Sequence, residues 1–182
     1  MNDTLKIIAE RFSCRNFTDK QPDDAALQSI AQAAIQSPSG MNSQNWQVIV
    51  VKNRDILAAM EKEGMDILSS ASDKSGYDRI MSRGGKLFYN TPCMVIVAVK
   101  GSAGIDCGIL AQNVVLAAES LGINTLHCGM AGMIFSGPRG AEFKEMLQFP
   151  AGYECGIGVL LGYAVEKAQP HVPNQDKITV IA

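Results

Sequence analysis

A run of seven apolar residues, CMVIVAV at 93–99, is the strongest constraint on the fold of this chain. A strand that is apolar at every position must be covered on both faces, because successive side chains point to opposite sides of a sheet. The segment 103–122 follows, and its stretch from Val114 to Ala118 has no polar side, which predicts a buried helix. We therefore expect a layered domain with this strand and this helix at its centre.

The remaining elements are predicted from periodicity. Apolar residues at i, i+3, i+4 and i+7 indicate amphipathic helices, and short β-branched runs indicate strands. Residues 69–91 keep no period, and we expect there either a mobile lid over a cleft or a plain connection. Helices are predicted over residues 4–12, with Asp3 or Thr4 as the cap, from after Asp23 to about Pro38, after Asn53, and over 138–147. Strands are predicted over residues 46–51, over 123–128 and from 154 onward.

The class that these elements predict is α+β. The chain has 182 residues, of which 47% are hydrophobic, and no linker or internal repeat divides it, so we expect one domain over 1–182. The tail 171–182 ends in a short β-type run with no obvious local partner. This tail strand is therefore a candidate for pairing with a second subunit.

The charge and the cysteines of the chain limit which partners and which cellular compartment are expected. The formal net charge is −2 and no basic run occurs, so a small molecule is a better expectation than nucleic acid or a membrane. The N-terminus is acidic and amphipathic, unlike a secretory signal, and the five cysteines are scattered without a CxxC pair. We expect a reduced, cytoplasmic protein. His127 and Cys128 are adjacent, but neighbours on a strand face opposite ways, so no metal site is expected.

The sequence RFSCR, residues 11–15, offers a way to hold a phosphate. The chain has no P-loop, and its GIGVLLG lies inside an apolar strand, so the usual nucleotide motifs are missing. If the first helix ends near Arg11, then Arg11, Ser13 and Arg15 project to one side and Phe12 to the other. Two guanidiniums around a hydroxyl suit a phosphate monoester. Alternatively, Arg11 interacts with the helix C-terminus and Arg15 is only solvated.

The sequence SPSGMNSQNWQ, residues 37–47, collects hydrogen-bonding side chains without a charge. Asn42 and Gln44 can donate and accept at once, as the edge of a ring with alternating carbonyl and N–H groups requires. Ser39 and Gly40 allow a close approach of the backbone. An isoalloxazine has such an edge, although an ordinary polar turn before a strand would use the same residue types.

These two motifs together resemble the nitroreductase family of FMN-dependent oxidoreductases. The Arg-x-Ser-x-Arg-x-Phe pattern of RFSCRNF is followed about two dozen residues later by SPSGMNSQNWQ, and the chain is short for the family. The similarity extends to the strand at 93–99, to QNVVLAAESLGIN in the central helix and to the closing ECGIGVLLGYA. The resemblance therefore spans nearly the whole chain.

The resemblance implies a fold and a cofactor site. The fold is an α+β sandwich, with a central, mostly antiparallel sheet and helices on both faces, in a domain-swapped homodimer with one FMN in each of two interface clefts. One subunit would hold the phosphate, and the other would contribute the polar loop. Two basic residues often follow the final strand in the family, whereas here only Lys167 is offered before Gln169 and His171. The implied cofactor-binding residues are Arg11, Phe12, Ser13 and Arg15, then Pro38, Ser39, Gly40, Met41, Asn42 and Gln44, then Gly129, Met130, Ala131 and Gly132 in a loop near flavin N5, and Lys167.

The resemblance also implies an activity. NADH or NADPH would pass a hydride to flavin N5, and an electron-poor acceptor of the nitroaromatic, quinone or enone type would then be reduced in a ping-pong cycle. No catalytic side chain is implied, because the flavin carries the chemistry. The alternatives are a flavin-binding or flavin-sequestering protein without efficient turnover, and a relative that uses another donor or acts on flavin or halogenated substrates. The cation near flavin N1 has no candidate in the sequence.

Overall fold

The computed structural model describes residues 1–101 and 103–181. Its centre is one antiparallel sheet of four strands in the spatial order β1-β2-β4-β3. The strands are β1 (Trp46–Val51), β2 (Cys93–Lys100), β3 (Asn124–Cys128) and β4 (Tyr153–Gly162).

Seven α-helices are formed by the described residues, and side-chain caps begin several of them. Asp23 accepts a hydrogen bond from the Ala26 N–H at 2.8 Å, and Asn53 accepts one from the Ile56 N–H at 3.1 Å. Such caps satisfy N–H groups that have no partner within the helix. The helices are α1 (Asp3–Glu10), α2 (Asp24–Ile35), α3 (Arg54–Ser70), α4 (Ser75–Met81), α5 (Gly104–Ser120), α6 (Ala131–Phe135) and α7 (Gly140–Met146).

Strand β2 is buried on both faces, as its sequence predicts. Met94 and Ile96 belong to one apolar cluster, which includes residues of α3, α6 and α7. Val95, Val97 and Val99 belong to a second cluster, which is built mainly with α2 and α5. The alternation of side chains along β2 thus divides the core into two layers. The α+β class, with an antiparallel sheet and helices on both faces, is confirmed.

The first helix and the segment after it differ from the prediction in detail. Helix α1 spans Asp3–Glu10 rather than 4–12, and its cap is Asn2, whose side chain accepts a hydrogen bond from the Leu5 N–H at 3.0 Å. The chain leaves the helix early because Phe12 is buried in the core and cannot stay on an exposed helix.

Two other local predictions are wrong. Residues 69–91 are not wholly irregular, since α4 lies inside them. Within this segment Phe88 is only 2% exposed and belongs to the core. The loop after β3 is shorter than predicted, because α6 begins at Ala131. The tail forms a short 3-10 turn at Gln175–Lys177, and its pairing with a second subunit stays a prediction.

Candidate functional site

The segment 11–15, here called the arginine segment, lies beside strand β3. Ser13 forms a parallel bridge with Thr125, and the Cys14 N–H donates to the Thr125 carbonyl at 2.9 Å. Phe12 and Cys14 are only 4% and 2% exposed, so the predicted alternation of buried and accessible side chains is confirmed. The side chains that remain accessible are those of Arg11, Ser13 and Arg15.

Arg11 and Lys167 line one cavity of about 280 Å³, here called the Arg11 cavity. Phe12 lines it too. Lys167 lies after strand β4, so the two cations come from opposite ends of the chain. The Arg11 cavity also contains two carboxyl side chains, Glu10 and Glu119. It can hold an anion through the cations, and the carboxyl groups oppose that charge.

Glu119 was not predicted to be part of the site. Its carboxylate accepts hydrogen bonds from the Thr125 hydroxyl at 3.2 Å and the Asn124 side-chain amide at 3.4 Å. Burial raises the pKa of Glu119, while these hydrogen bonds and the Arg11 charge oppose the rise. In the sequence it is a single acid at the end of an apolar helix, which gives no signal of a role.

Arg15 lines a second cavity, of about 190 Å³, here called the Arg15 cavity. Gly129 and Met130 border it, and so do Arg79 and Arg83. Sequence reasoning missed the last two because helix α4 and the turn after it, which carry them, were not predicted. With three arginines, this cavity has more cationic lining residues than any other described here.

Strand β3 contributes residues to both cavities. Asn124 lines the Arg11 cavity, and Leu126, His127 and Cys128 line the Arg15 cavity. Alternate residues of a strand share one face, so Asn124, Leu126 and Cys128 lie on one side of β3 and His127 on the other. The bridge from Ser13 to Thr125 lies between the two sets of residues along the strand.

His127 is half-buried at the Arg15 cavity. Its Nε2 lies 3.4 Å from the Gln112 side-chain oxygen, and its Nδ1 is buried without a hydrogen-bond partner in the described part of the chain. Burial, with a smaller contribution from Arg11, lowers the pKa of His127 from its ordinary value of 6.5. The imidazole is therefore neutral at pH 7 and is not a proton donor there. Among the residues described, no cluster of three potential metal ligands occurs.

The segment 129–132 after β3 contributes residues both to the Arg15 cavity and to helix α6. Gly129 and Met130 form the turn, whereas Ala131 is fully buried as the first residue of α6. The Gly132 N–H donates to the Gly129 carbonyl at 3.2 Å. Burial raises the pKa of the Cys128 thiol to about 11, so it is not a thiolate nucleophile. The cavity side of this turn is thus formed by Gly129 and Met130.

Residues 37–45, here called the amide loop, begin at a buried anchor. Ser37 is 7% exposed, and its hydroxyl donates to the Ala34 carbonyl at 2.7 Å. Asn113 of helix α5 donates to the Ser37 hydroxyl at 2.9 Å and also to the Ala33 carbonyl at 3.3 Å. The start of the loop is therefore held to the central helix.

Hydrogen bonds inside the amide loop set its shape. The Gln44 N–H donates to the Ser39 hydroxyl at 3.0 Å, and the Gln44 side chain donates to the Asn42 side-chain oxygen at 3.1 Å. Met41, Asn42 and Gln44 have φ angles of 53°, 54° and 47°, a region that non-glycine residues adopt only under constraint. Pro38, Gly40 and Met41 are exposed beside them. The loop is thus a strained, internally braced element that faces solvent.

The amide loop and the arginine segment lie at opposite corners of the sheet. The loop enters β1 at Trp46, which pairs with Val99 near the C-terminal end of β2. Thr125 beside the arginine segment pairs with Leu161, which pairs with Cys93 at the N-terminal end of β2. Three strand spacings and six residues along β2 separate the corners by about 25 Å. One chain therefore does not bring the two motifs into one cleft.

Comparisons with known proteins agree on one family. The family model described as "Nitroreductase family" matches residues 8–163. A nitroreductase from Desulfitobacterium hafniense, solved with bound FMN, is 53% identical, with a TM-score of 0.97 and 100% of both chains covered. An "NADPH-flavin oxidoreductase" of Vibrio harveyi is 26% identical over 95% of this chain and 71% of its own. An "FMN reductase [NAD(P)H]" of Bacillus subtilis is 23% identical over 98% and 78%.

Proposed function

The chain belongs to the nitroreductase family, and from this premise we propose that it is an FMN-dependent oxidoreductase. It takes a hydride from NADH or NADPH and reduces an electron-poor acceptor of the nitroaromatic, quinone or enone type. The relatives with bound FMN or with flavin reductase names support the cofactor and the donor. The observation that carries the proposal is the pair of cavities to which β3 contributes, one lined by Arg11 and Lys167 and the other by Arg15 and Gly129.

The chemistry of the Arg11 cavity fits the FMN phosphate. A phosphate monoester carries up to two negative charges, and a guanidinium and an ammonium on either side supply charged hydrogen bonds to it. Lys167 occupies the place of the basic residues that the family often has after its last strand. Ser13 lies between Arg11 and Arg15 on the same side of the segment and would reach the ribityl chain or the phosphate.

The chemistry of the Arg15 cavity fits one edge of the flavin ring. Arg15 is a candidate for the cation beside flavin N1, where positive charge stabilises a reduced, anionic ring. The turn formed by Gly129 and Met130 supplies backbone groups on the other side of this cavity. Ala131 and Gly132 act indirectly, since they form the first turn of α6 and thereby fix the turn.

The amide loop of a partner subunit would complete each site. Its free polar groups lie at the far corner of the sheet, so they reach a flavin only in a second copy of the chain. A symmetric dimer that brings opposite corners together forms two equal sites. The loop residues that would enter the partner's site are Pro38, Ser39, Gly40, Met41 and Asn42, with Gln44 as the internal brace.

Exposed apolar side chains support such a dimer. Ile105 and Ile109 of α5 are 83% and 37% exposed, and Leu5 and Ile8 of α1 are 53% and 45% exposed. Grouped exposure of large apolar residues marks an interaction surface more often than a free one. The tail, whose side chains are also exposed, would reach across to the partner subunit.

Catalysis then depends on position and charge. FMN, when bound, supplies the hydride chemistry by accepting from the nicotinamide and donating to the acceptor. The residues of this chain hold the phosphate, place the ring edge at the Gly129 turn and keep positive charge beside it. Neutral His127 and the un-ionised thiol of Cys128 are not needed as acid or nucleophile. Orientation of this kind is sensitive to errors of an ångström.

The experiment that tests the proposed function is an anaerobic spectrum. Purified protein reconstituted with FMN should lose its flavin absorbance on addition of NADH or NADPH and regain it with a nitroaromatic or quinone acceptor. Initial rates against both substrates should give parallel double-reciprocal lines. The His127→Ala and Cys128→Ala variants, matched controls at the cavity, should still reduce bound FMN.

Three results would contradict the proposal or a part of it. If FMN does not bind after reconstitution, the cofactor assignment is wrong. If bound FMN is reduced by dithionite but by neither nicotinamide, the protein is instead a flavin-binding protein or uses another electron donor. Abolished hydride transfer in a His127→Ala variant that retains FMN would reveal a catalytic side chain.

A further inference from the structure

The Arg15 cavity has more positive charge than the flavin assignment uses. The arginines that line it are Arg15 in the arginine segment, Arg79 in the last turn of helix α4 and Arg83 in the turn after that helix. His127, which also lines it, is neutral at pH 7. None of the residues that line this cavity, all of which lie in the described part of the chain, is an aspartate or a glutamate.

Two other arginines, at the starts of α3 and α7, behave differently. Arg54 forms an ion pair with Asp19, and Arg139 forms one with Glu142. By contrast, Arg79 and Arg83 have no carboxylate within 4.0 Å among residues 1–101 and 103–181. Arg15, Arg79 and Arg83 are exposed, so solvent screens their repulsion, but their summed positive potential still attracts an anion.

Helix α4, with the turn that follows it, brings the two arginines to the cavity. Its last turn is anchored by Ile80, which is 2% exposed, and the Gly85 N–H donates to the Ile80 carbonyl at 3.0 Å. Arg79 lies in this last turn, and Arg83 follows in the turn just after the helix. A cation near a helix C-terminus is favourable, but this does not explain why Arg15, from a distant segment, faces the same space.

Given the proposed function, on which this inference rests, we propose that Arg79 and Arg83, together with Arg15, form a subsite for an anionic oxygen group of the molecule that reacts over the flavin. A guanidinium binds a carboxylate or a phosphate through two parallel N–H groups. The cavity volume of about 190 Å³ is below that of a site for a whole ligand, so it accommodates only end groups: the ring edge proposed above beside Arg15 and the Gly129 turn, and an acidic group beside Arg79 and Arg83.

The acidic group has two possible sources, the hydride acceptor and the hydride donor. A carboxylated nitroaromatic would carry it as an acceptor, and the 2′-phosphate would carry it in NADPH but not in NADH. Each source has a matched neutral or less charged probe. The probes are 4-nitrobenzoate against 4-nitrobenzamide, and NADPH against NADH.

The test compares Arg79→Ala, Arg83→Ala and the double variant with the native protein and with Arg54→Ala, which removes the same charge outside the cavity. For the acceptor, the ratio of kcat/KM for 4-nitrobenzoate to that for 4-nitrobenzamide should fall roughly tenfold in the double variant, a modest loss for charged hydrogen bonds at an accessible site. In Arg79→Lys this ratio should lie between the values for the native protein and Arg79→Ala, and in Arg54→Ala it should equal the native value. A fall in the NADPH-to-NADH ratio instead would locate the subsite on the donor.

Equilibrium binding separates this inference from the proposed function. Titration of the oxidised, FMN-loaded protein with 4-nitrobenzoate needs no turnover, and its dissociation constant should rise with added NaCl and in the double variant. If the double variant loses kcat/KM equally for both members of each probe pair, so that neither ratio changes, the inference is overturned. A weakened FMN dissociation constant or a shifted flavin midpoint potential in the double variant would also overturn it, because the arginines would then serve the flavin itself.

Discussion

At the scale of single residues, Arg11 and Arg15 have different surroundings although they are four positions apart. Arg11 shares its cavity with Lys167, Glu10 and Glu119. Arg15 shares another cavity with arginines and a glycine turn. The two guanidiniums are therefore expected to act on different parts of one ligand, the phosphate and the ring edge.

We expect Arg11→Ala to weaken FMN much more than riboflavin. Only FMN has the phosphate, and loss of one charged hydrogen bond costs on the order of 1.5–3 kcal/mol. Dissociation constants for both flavins, measured by fluorescence quenching, check the difference. Arg15→Ala is the matched comparison and should weaken the two flavins more evenly. Equal weakening of both flavins in Arg11→Ala would remove the phosphate role of Arg11.

We expect Glu119→Gln to flatten the pH dependence of stability. Because burial raises the pKa of Glu119, the folded protein retains a proton that the unfolded chain has already released. The free energy of unfolding therefore falls as pH rises from the ordinary glutamate range through the raised value. The free energy of unfolding in urea is measured over this pH range for both proteins, and the native value minus the variant value gives the contribution of Glu119. Identical slopes in the two proteins would show that Glu119 titrates normally.

At the scale of elements, the amide loop depends on helix α5 for its position. The Asn113 amide is the described link between them, through the Ser37 hydroxyl and the Ala33 carbonyl. Three left-handed residues further along the loop add strain that this anchoring must balance. A substitution in helix α5 is therefore expected to alter the amide loop, although the loop lies outside that helix.

We expect Asn113→Ala to destabilise the protein by about 1–2 kcal/mol, because it leaves the buried Ser37 hydroxyl with one partner fewer. FMN occupancy should fall as well, since the loop loses its fixed start. Urea denaturation and the flavin absorbance of the purified protein measure the two effects. Gln28→Ala on exposed α2 surface is the control. Full flavin occupancy in Asn113→Ala would mean that the anchor has no role in the site.

At the scale of the whole molecule, the separation of the two motifs is the main fact. Within one chain, the arginine segment and the amide loop occupy opposite corners of the sheet. In the described residues, strand β1 has a strand partner on one side only. An open sheet edge invites an added strand, and the exposed tail is a candidate for it.

We expect two defective variants to restore each other in mixed dimers. Arg11→Ala damages the phosphate half of a site, and Asn42→Gly removes the loop amide while it keeps the left-handed backbone. In heterodimers one site carries both defects and the other none, so the purified heterodimer should regain about half of the native flavin content, and the unfractionated coexpression mixture about a quarter. Flavin content of the tagged heterodimer measures this. No recovery in purified heterodimers would place both motifs in one subunit's site.

We expect deletion of residues 172–182 to weaken the dimer and to lower flavin occupancy. The tail carries Val172, Ile178 and Ile181, which are 93%, 70% and 93% exposed, and burial of such side chains against a partner is favourable. Sedimentation velocity across a dilution series checks the association. A truncated protein that remains an FMN-loaded dimer at the same concentrations would exclude a role for the tail, and a native monomer that retains FMN would exclude the dimer itself.

The sequence by itself determined the layers and the polar motifs. The unbroken apolar run of β2 required cover on both faces, and the polar-free stretch of α5 required burial, because these demands arise from side-chain chemistry and helical or strand periodicity alone. The alternation within the arginine segment followed from the same rule. Short elements without a clear period, such as α4 and α6, could not be predicted, since packing rather than local preference stabilises them.

Only the tertiary structure decided which side chains meet. Lys167 joins Arg11, and Arg79 and Arg83 join Arg15, through contacts between segments far apart in the chain. The half-buried carboxyl group of Glu119, which accepts hydrogen bonds from Asn124 and Thr125, lines the first of these cavities with Arg11, and this depends on contacts of the same kind. No local pattern encodes these encounters, because they depend on strand order and on how helices pack over β3. For the same reason the separation of the arginine segment from the amide loop became evident only from the register of the sheet.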